Sequence, residues 1–251
     1  MTKVLLVGVG GNGSKLLVSL ARLHLLLKSL GGEGFHLTAL DPDEVSEANL
    51  VRQAFLPQDL GRNKAEILIT RLNLAYGLTW EFRPRAVEAR DLTDADLIIT
   101  AVDSKRARRS VYDTVKRRWV WWVDLGNGDR YGQVVAGNGT EDWPYPPDLL
   151  PELVSGEDED PGPSCSMLEA VLRQDLLVND LAAVWAAEMT ASIIRRGVPR
   201  YNAVFYDLDR GTTRPYRKPP NKEGALRPQE RGEVRRHGTQ RRNRREHPPQ
   251  P

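Results

Sequence analysis

Gly8-Val9-Gly10-Gly11-Asn12-Gly13, set between a short apolar run and a leucine-striped segment, constrains this 251-residue chain more than any other feature. Val4-Leu5-Leu6-Val7 reads as a buried strand. Beyond the glycines, Leu16, Leu20, Leu23, Leu27 and Leu30 recur at three- and four-residue intervals, which predicts a helix with one apolar stripe. Gly31-Gly32 ends it, and His36 to Leu40 makes a second strand closing at Asp41. Strand, glycine turn, helix and strand open a doubly wound, Rossmann-like parallel sheet. The G-x-G-x-x-G spacing lets backbone N–H groups approach phosphate at the positive end of a helix, and it marks NAD, FAD and ATP sites alike. A P-loop is excluded, because Ser14-Lys15 stands where Lys-Ser or Lys-Thr is required.

The alternation continues along the chain. Residues 62–76 read as a helix, Thr79 to Arg83 as a strand, and Asp96 to Val102 as a strand ending at Asp103. Residues 105–117 form a basic helix, Trp119 to Val123 a strand ending at Asp124, and Gly132 to Val135 a further strand. The fold class expected is therefore α/β with a mostly parallel sheet. Residues 137–163, rich in Pro, Gly, Asp and Glu, read as an exposed, mobile crossover loop. A helix of about 30 residues is expected from Ser166 to Arg195, opened by a capping box at Ser166-Met167-Leu168-Glu169. Asn202 to Asp207 adds a last strand. From about Pro215 the Pro/Arg/Gln/Glu-rich composition cannot bury a core and reads as disordered, so residues 1–213 form one domain and 214–251 a basic tail.

Charge separates the two parts. Of 36 Lys+Arg and 34 Asp+Glu, residues 214–251 hold 12 and 4, leaving an acidic balance of 24 against 30 for the first 213. The tail's arginines, such as Arg241, Arg242, Arg244 and Arg245, have no interleaved aromatic residue, so a solvated tail or a dock for an acidic partner is favoured over nucleic acid. No apolar run approaches the roughly 18 residues a membrane helix needs. The chain enters its first strand at once, leaving no room for a secretory signal, and a cytoplasmic location is expected. One cysteine excludes an internal disulfide and any zinc site built from several cysteines.

Asp41, at the end of the second strand, is placed to accept hydrogen bonds from ribose hydroxyls. The stretch from Asp41-Pro42-Asp43 through Asn49-Leu50-Val51-Arg52-Gln53, followed by Asp59-Leu60-Gly61-Arg62-Asn63-Lys64-Ala65, then argues against hydride transfer. Such a cluster of Asn, Arg, Gln and Lys suits triphosphate chemistry, where the attacked phosphorus and the leaving pyrophosphate carry charge that cations stabilise. Asp103 is a candidate ligand for magnesium, a hard cation that prefers carboxylate and water. Taken singly, Arg52 and Lys64 read more readily as surface residues, as do Asp43, Glu44 and Glu47, and Arg62 reads equally well either way; the joint spacing of Arg52 and Lys64 carries the argument.

In combination these motifs resemble the ThiF/MoeB/ubiquitin-activating-enzyme superfamily, whose members show GxGGxG, D-x-D-x-V-x-x-x-N-L-x-R-Q, D-x-G-x-x-K-A and an Asp after a later strand. The motifs cover residues 4–125. Asp124-Leu125-Gly126-Asn127, Gly132-Gln133-Val134 and Pro163-Ser164-Cys165-Ser166 through Gln174-Asp175-Leu176 are similar to the ThiF-like proteins of PRTRC-type gene clusters. The resemblance implies that Gly8, Gly10, Gly11 and Gly13 contact nucleotide phosphates and Asp41 the ribose. It places Asp43 in the nucleotide site, with Asn49, Arg52 and Gln53 lining the phosphates and Lys64 neutralising the α-phosphate region. Asp103 would coordinate Mg2+. The implied reaction is adenylation by ATP of the C-terminal carboxylate of a ubiquitin-like β-grasp protein, in a homodimer, with possible handover to a conjugating enzyme.

Cys165 follows Pro-Gly-Pro-Ser and precedes the expected capped helix, where a helix N-terminus favours a thiolate. It also matches the position at which relatives keep a cysteine that accepts the activated carboxyl as a thioester or takes part in sulfur transfer. A partly buried, unreactive thiol is the plainer reading. The chain departs from the family in lacking two Cys-x-x-Cys pairs, so no zinc is expected. Many relatives also carry an arginine to the partner subunit on N-terminal helices, which are not expected here, where the sequence starts at the first strand. That arginine is expected to be missing or to come from elsewhere, such as Arg62 or the basic cluster 105–109, and Ser104 replaces the Asn that follows the magnesium Asp. The alternatives are a non-catalytic scaffold that binds a β-grasp partner and an NAD-dependent oxidoreductase, for which no hydride-transfer motif is present.

Overall fold

In a computed structural model, which describes residues 1–158 and 177–219, the opening motif folds as β1 (Thr2–Val7), α1 (Gly11–Ser29) and β2 (Phe35–Leu40). Leu16, Leu17, Leu20 and Leu23 of α1 are buried against the sheet, as the stripe requires. Two 3-10 turns, Glu47–Asn49 and Pro57–Asp59, lead to α2 (Lys64–Tyr76). Asn63 caps α2 by accepting the Glu66 N–H, and Gly77 ends it at φ 64°, a left-handed conformation open to glycine.

β3 (Glu81–Arg83), α3 (Ala89–Thr93), β4 (Leu97–Thr100) and α4 (Lys105–Val115) follow. Then come β5 (Trp121–Asn127), β6 (Tyr131–Gly137) and a short α5 (Pro146–Leu149). Among the described residues the chain closes with α6 (Val178–Arg196), β7 (Ala203–Asp207) and β8 (Thr212–Tyr216).

The eight strands form one sheet in the order β3-β2-β1-β4-β5-β6-β7-β8. The first five are parallel and the last three antiparallel, confirming a mostly parallel, doubly wound α/β sheet. β1 lies between β2 and β4, with Val7 opposite both Leu40 and Thr100. The winding therefore reverses beside β1. At such a switch point the loops leaving two neighbouring strands part and open a crevice at the strands' carboxyl ends. Alternation along the strands builds two cores. Leu6, Leu37, Ile99, Val123, Val134 and Val204 pack under α1, α2 and α6, while Leu5, Val7, Ile98 and Trp122 pack under α3 and α4.

Two expectations are corrected. The 137–163 stretch is not uniformly exposed: Tyr145 is 1% accessible, donates its hydroxyl to the Arg118 carbonyl and fills the second core beside Trp122, with Pro146 and Pro147 buried behind it. A Pro-rich segment can bury if its few apolar rings meet a cavity edge, and composition does not show this. The final strand, β8, runs through Pro215 and Tyr216, into the stretch read as disordered. It is an exposed edge strand paired to β7 and needs no core of its own. The start of the long helix, its capping box and Cys165 lie outside the described residues. No helix among the described residues is long and apolar enough to cross a membrane.

Candidate functional site

The switch point gathers the glycine loop, the loop after β2 and the loop after β4. Gly8 donates its N–H to the Leu40 carbonyl at 2.9 Å, and Ala101 donates to Val7 at 2.8 Å, so the chain leaves β1 clamped on both sides. Gly8 has φ +92°, and a Cβ there would lie 2.5 Å from the Ala101 carbonyl oxygen. A Cβ on Gly13 would lie 2.0 Å from the Gly8 carbonyl, so α1 packs directly onto the turn that precedes it. Gly11 rests against the Asn179 side chain of α6. Gly10 differs from these three: among the described residues nothing lies within 4 Å of its Cβ position, at the N-cap of a 19-residue helix. The loop thus presents one open backbone face where the helix dipole is positive.

Asp41 is buried and serves this loop first. Its carboxylate accepts the Val9 N–H at 2.6 Å and the Asp43 N–H at 2.9 Å, joining the turns after β1 and β2. Burial pushes the Asp41 carboxyl above its ordinary range, against the pull of those two N–H groups and of Lys64. Each oxygen keeps a second lone pair, so the bracing leaves acceptor capacity for a hydroxyl.

Lys64 opens α2 and is buried, with Nζ 2.9 Å from Asp43 Oδ2. Asn63 fixes the approach, its Nδ2 donating to the carbonyls of Asp41 and Asp43 at 2.8 and 3.1 Å. Lys64, Asp43, Asp41 and the glycine loop are thereby one connected unit. Asn49, at the end of the first 3-10 turn, and Arg52 and Gln53, between the two turns, lie half-buried. Asn49 Oδ1 accepts from the Ser46 N–H and hydroxyl. Gln53 Oε1 is buried without a hydrogen-bond partner among the described residues. Such an atom costs about 1–3 kcal/mol unless a donor reaches it.

Residues outside the predicted set hold this segment in place. Ser14 accepts the Ala54 N–H at 3.1 Å, tying the segment to the first turn of α1. Buried Asp59 accepts from Arg71 at 2.6 and 2.7 Å and also takes the Leu56 N–H at 2.7 Å. Arg71 falls on no motif, and only its partner across the fold reveals it.

Asp103 follows β4 at the other flank of the crevice and is exposed. Its carboxylate makes no hydrogen bond or ion pair among the described residues, so it is free to meet a cation. One carboxylate suits Mg2+, which keeps several waters and takes its other ligands from substrate phosphates. No cluster of three or more metal-ligating side chains occurs among the described residues. Ser104 caps α4, its Oγ accepting the Ala107 N–H at 3.1 Å. The same hydroxyl donates to Asp158 at 2.8 Å, and the Asp158 carboxylate also takes the N–H groups of Lys105 and Arg106. The Ser104 hydrogen bond leads in holding the Asp158 carboxyl below its usual range.

Two arginines of the 105–109 cluster are committed inside the chain. Arg108 is buried against Asp124, and Arg109 donates to the Val154 and Gly156 carbonyls. Arg62 is about half exposed and pairs with Glu66 at 3.0 Å.

The ThiF family model matches residues 1–226. Among solved structures, PaaA is similar at 18% identity with a TM-score of 0.61, covering 86% of this chain and 64% of that one. Escherichia coli MccB with ATP is similar at 17% identity and TM-score 0.64, covering 86% and 63%. MccB with AMPCPP and MccA together is similar at 17% identity and TM-score 0.64, covering 88% and 65%. These identities establish a shared fold, and the chain spans less than two thirds of the length of each of these proteins. No curated protein matches it in sequence.

Proposed function

The chain belongs to the ThiF family, and from that premise we propose that it is an ATP-dependent adenylyltransferase activating the C-terminal carboxylate of a small ubiquitin-like β-grasp protein. The observation that carries the reading is the crevice beside β1. An open Gly10 at the N-terminus of α1 is flanked by a buried lysine on one side and an exposed aspartate on the other. A nicotinamide enzyme has no use for that pair, whereas a triphosphate does.

In the proposed reaction a carboxylate oxygen attacks the α-phosphorus, an acyl–phosphate bond forms, and the bond to the bridging oxygen of pyrophosphate breaks. The glycine-loop N–H groups and the α1 dipole hold phosphate oxygens in place, and Lys64 offsets the charge that grows on the leaving group. To do so its ammonium exchanges Asp43 for phosphate. Arg52, Asn49 and Gln53 line the far phosphates, and a donor reaching Gln53 Oε1 would satisfy its buried acceptor. Asp41 serves the ribose while keeping the two loops together. Asp103 would hold Mg2+, which screens the phosphates and favours departure of pyrophosphate. That MccB has been solved with ATP, and with AMPCPP and MccA together, supports a nucleotide and a second partner as ligands of this fold.

The finer parts of the proposal follow from family resemblance. The chain acts as a homodimer in the cytoplasm, Cys165 receives the activated carboxyl as a thioester, and a conjugating enzyme takes it onward. The test is ATP–pyrophosphate exchange with magnesium and the ubiquitin-like protein encoded nearest to the gene. Exchange that requires the terminal carboxylate of that protein supports activation. A partner that binds without exchange points to a scaffold instead.

A further inference from the structure

Arg108 lies on α4 with Asp103 on one side and β5 on the other, and its guanidinium divides its donors among three acceptors. Nε–H is shared between Asp124 Oδ1 and Oδ2 at 2.9 and 3.1 Å, Nη2 donates to the Leu125 carbonyl at 2.9 Å, and Nη1 donates to the Asp103 carbonyl at 3.4 Å. Asp124 is fully inaccessible and is also the acceptor of the Thr100 hydroxyl, while Thr100 accepts Trp122 Nε1–H at 2.7 Å. A continuous chain of hydrogen bonds thus runs from the indole of Trp122 in the second core, through Thr100, Asp124 and Arg108, to the backbone of Asp103.

Stability alone is a poor reason for such a chain. Two buried charges lose their hydration, and an apolar pair of similar volume is often as stable or more so. What an apolar pair cannot do is reach the Asp103 and Leu125 carbonyls at once. A lysine cannot either: its compact ammonium lacks the planar fork that spreads donors over separate acceptors. The Asp103 contact is the longest of the four, so a small change in the aim of the guanidinium breaks it first.

We propose that Arg108, buried against Asp124, is a positioning residue for the metal site: it fixes the backbone of Asp103 so that the carboxylate stands ready at the crevice. This inference rests on the adenylation reading and concerns its magnesium ligand. Partners that orient a metal ligand without touching the metal typically change metal affinity by about 10- to 100-fold when removed.

The test titrates Mn2+, followed as the free ion by electron paramagnetic resonance, into protein saturated with AMPCPP. Asp103→Ala is expected to abolish the nucleotide-dependent manganese site. Arg108→Lys is expected to weaken it about tenfold, with AMPCPP affinity in EDTA unchanged and cooperative thermal unfolding retained. Because a lone charge change in the core can unfold the chain, the double variant Arg108→Met/Asp124→Leu, which removes both charges at similar volume, carries the test alongside it. Manganese affinity equal to the parent's in a folded variant of either kind overturns the positioning role. A parent protein with no nucleotide-dependent manganese site overturns the adenylation reading, and this inference with it.

Discussion

The Lys64 ammonium lies 2.9 Å from Asp43 Oδ2, in a pair whose cation is 9% accessible and whose carboxylate is 63% accessible. The asymmetry matters, since the lysine is held in a low-dielectric niche by a partner that solvent can replace. Removing the lysine should therefore affect phosphate chemistry far more than stability. Lys64→Met is expected to lower carboxylate-dependent ATP–pyrophosphate exchange about 100- to 1000-fold. Its unfolding free energy should stay within about 1 kcal/mol of the parent's, because a pair this exposed on one side contributes little. Exchange at the parent rate in the folded variant would remove Lys64 from the site.

The glycines of the loop should separate by what faces them. Gly13→Ala sets a methyl group 2.0 Å from the Gly8 carbonyl, a backbone atom that cannot swing aside. Overpacking of this kind costs about 1–3 kcal/mol or more, and a lower thermal midpoint is expected. Gly10→Ala meets nothing within 4 Å among the described residues. Its thermal midpoint should stay near the parent's while ATP affinity falls, as read by equilibrium binding. Equal ATP affinity in Gly10→Ala would mean that the open face is not the phosphate face.

Acid should act through Asp91. Burial alone would raise this carboxyl, but the hydrogen bonds and charge of Arg85, the Glu88 N–H and Arg83 outweigh it and hold it at about 2. A carboxyl whose folded value lies below its ordinary 3.8 stabilises the fold above that value and loses the contribution as pH falls toward about 2. The contribution is about 2 kcal/mol. Urea unfolding from about pH 5 down to about pH 2.5 should show the parent losing about 1.5 kcal/mol more stability than Asp91→Asn, with the rest lost below the folded value. Parallel losses in the two proteins would discount the Asp91 cluster.

Asp103 and Cys165 should separate two chemical steps. Asp103→Ala removes an exposed carboxylate with no partner among the described residues, so unfolding should shift by no more than about 0.5 kcal/mol while pyrophosphate release is lost. Cys165→Ala should release pyrophosphate normally and fail only to form a hydroxylamine-sensitive conjugate with the β-grasp partner. Unchanged release in the Asp103 variant would sink the magnesium assignment.

The opening unit was legible because each of its signals is local. Glycines between an apolar run and a leucine stripe, then a strand closing at an aspartate, lead to β1, α1 and β2 within a residue or a few of where periodicity sets them. The predicted nucleotide residues Asp41, Asp43 and Lys64 meet at the crevice because strand ends and a helix start deliver them there. Asp41 nevertheless proved to be a brace for Val9 before it can be anything else, and that role depends on a contact 32 residues away.

Composition, periodicity and motif spacing determined the α/β class, the order of the first elements and the residue types gathered at the crevice, since all three are properties of near neighbours in the chain. Only the tertiary structure decided that Tyr145 fills a core from within a Pro-rich stretch, and that Arg71 anchors Asp59. It alone decided that Arg108 pairs with Asp124, so that it cannot serve as a free cation. Each of these is a choice among many distant partners of suitable chemistry. What selects one of them is burial, which leaves a charge or a ring no acceptable alternative to the partner that the sheet order brings within reach.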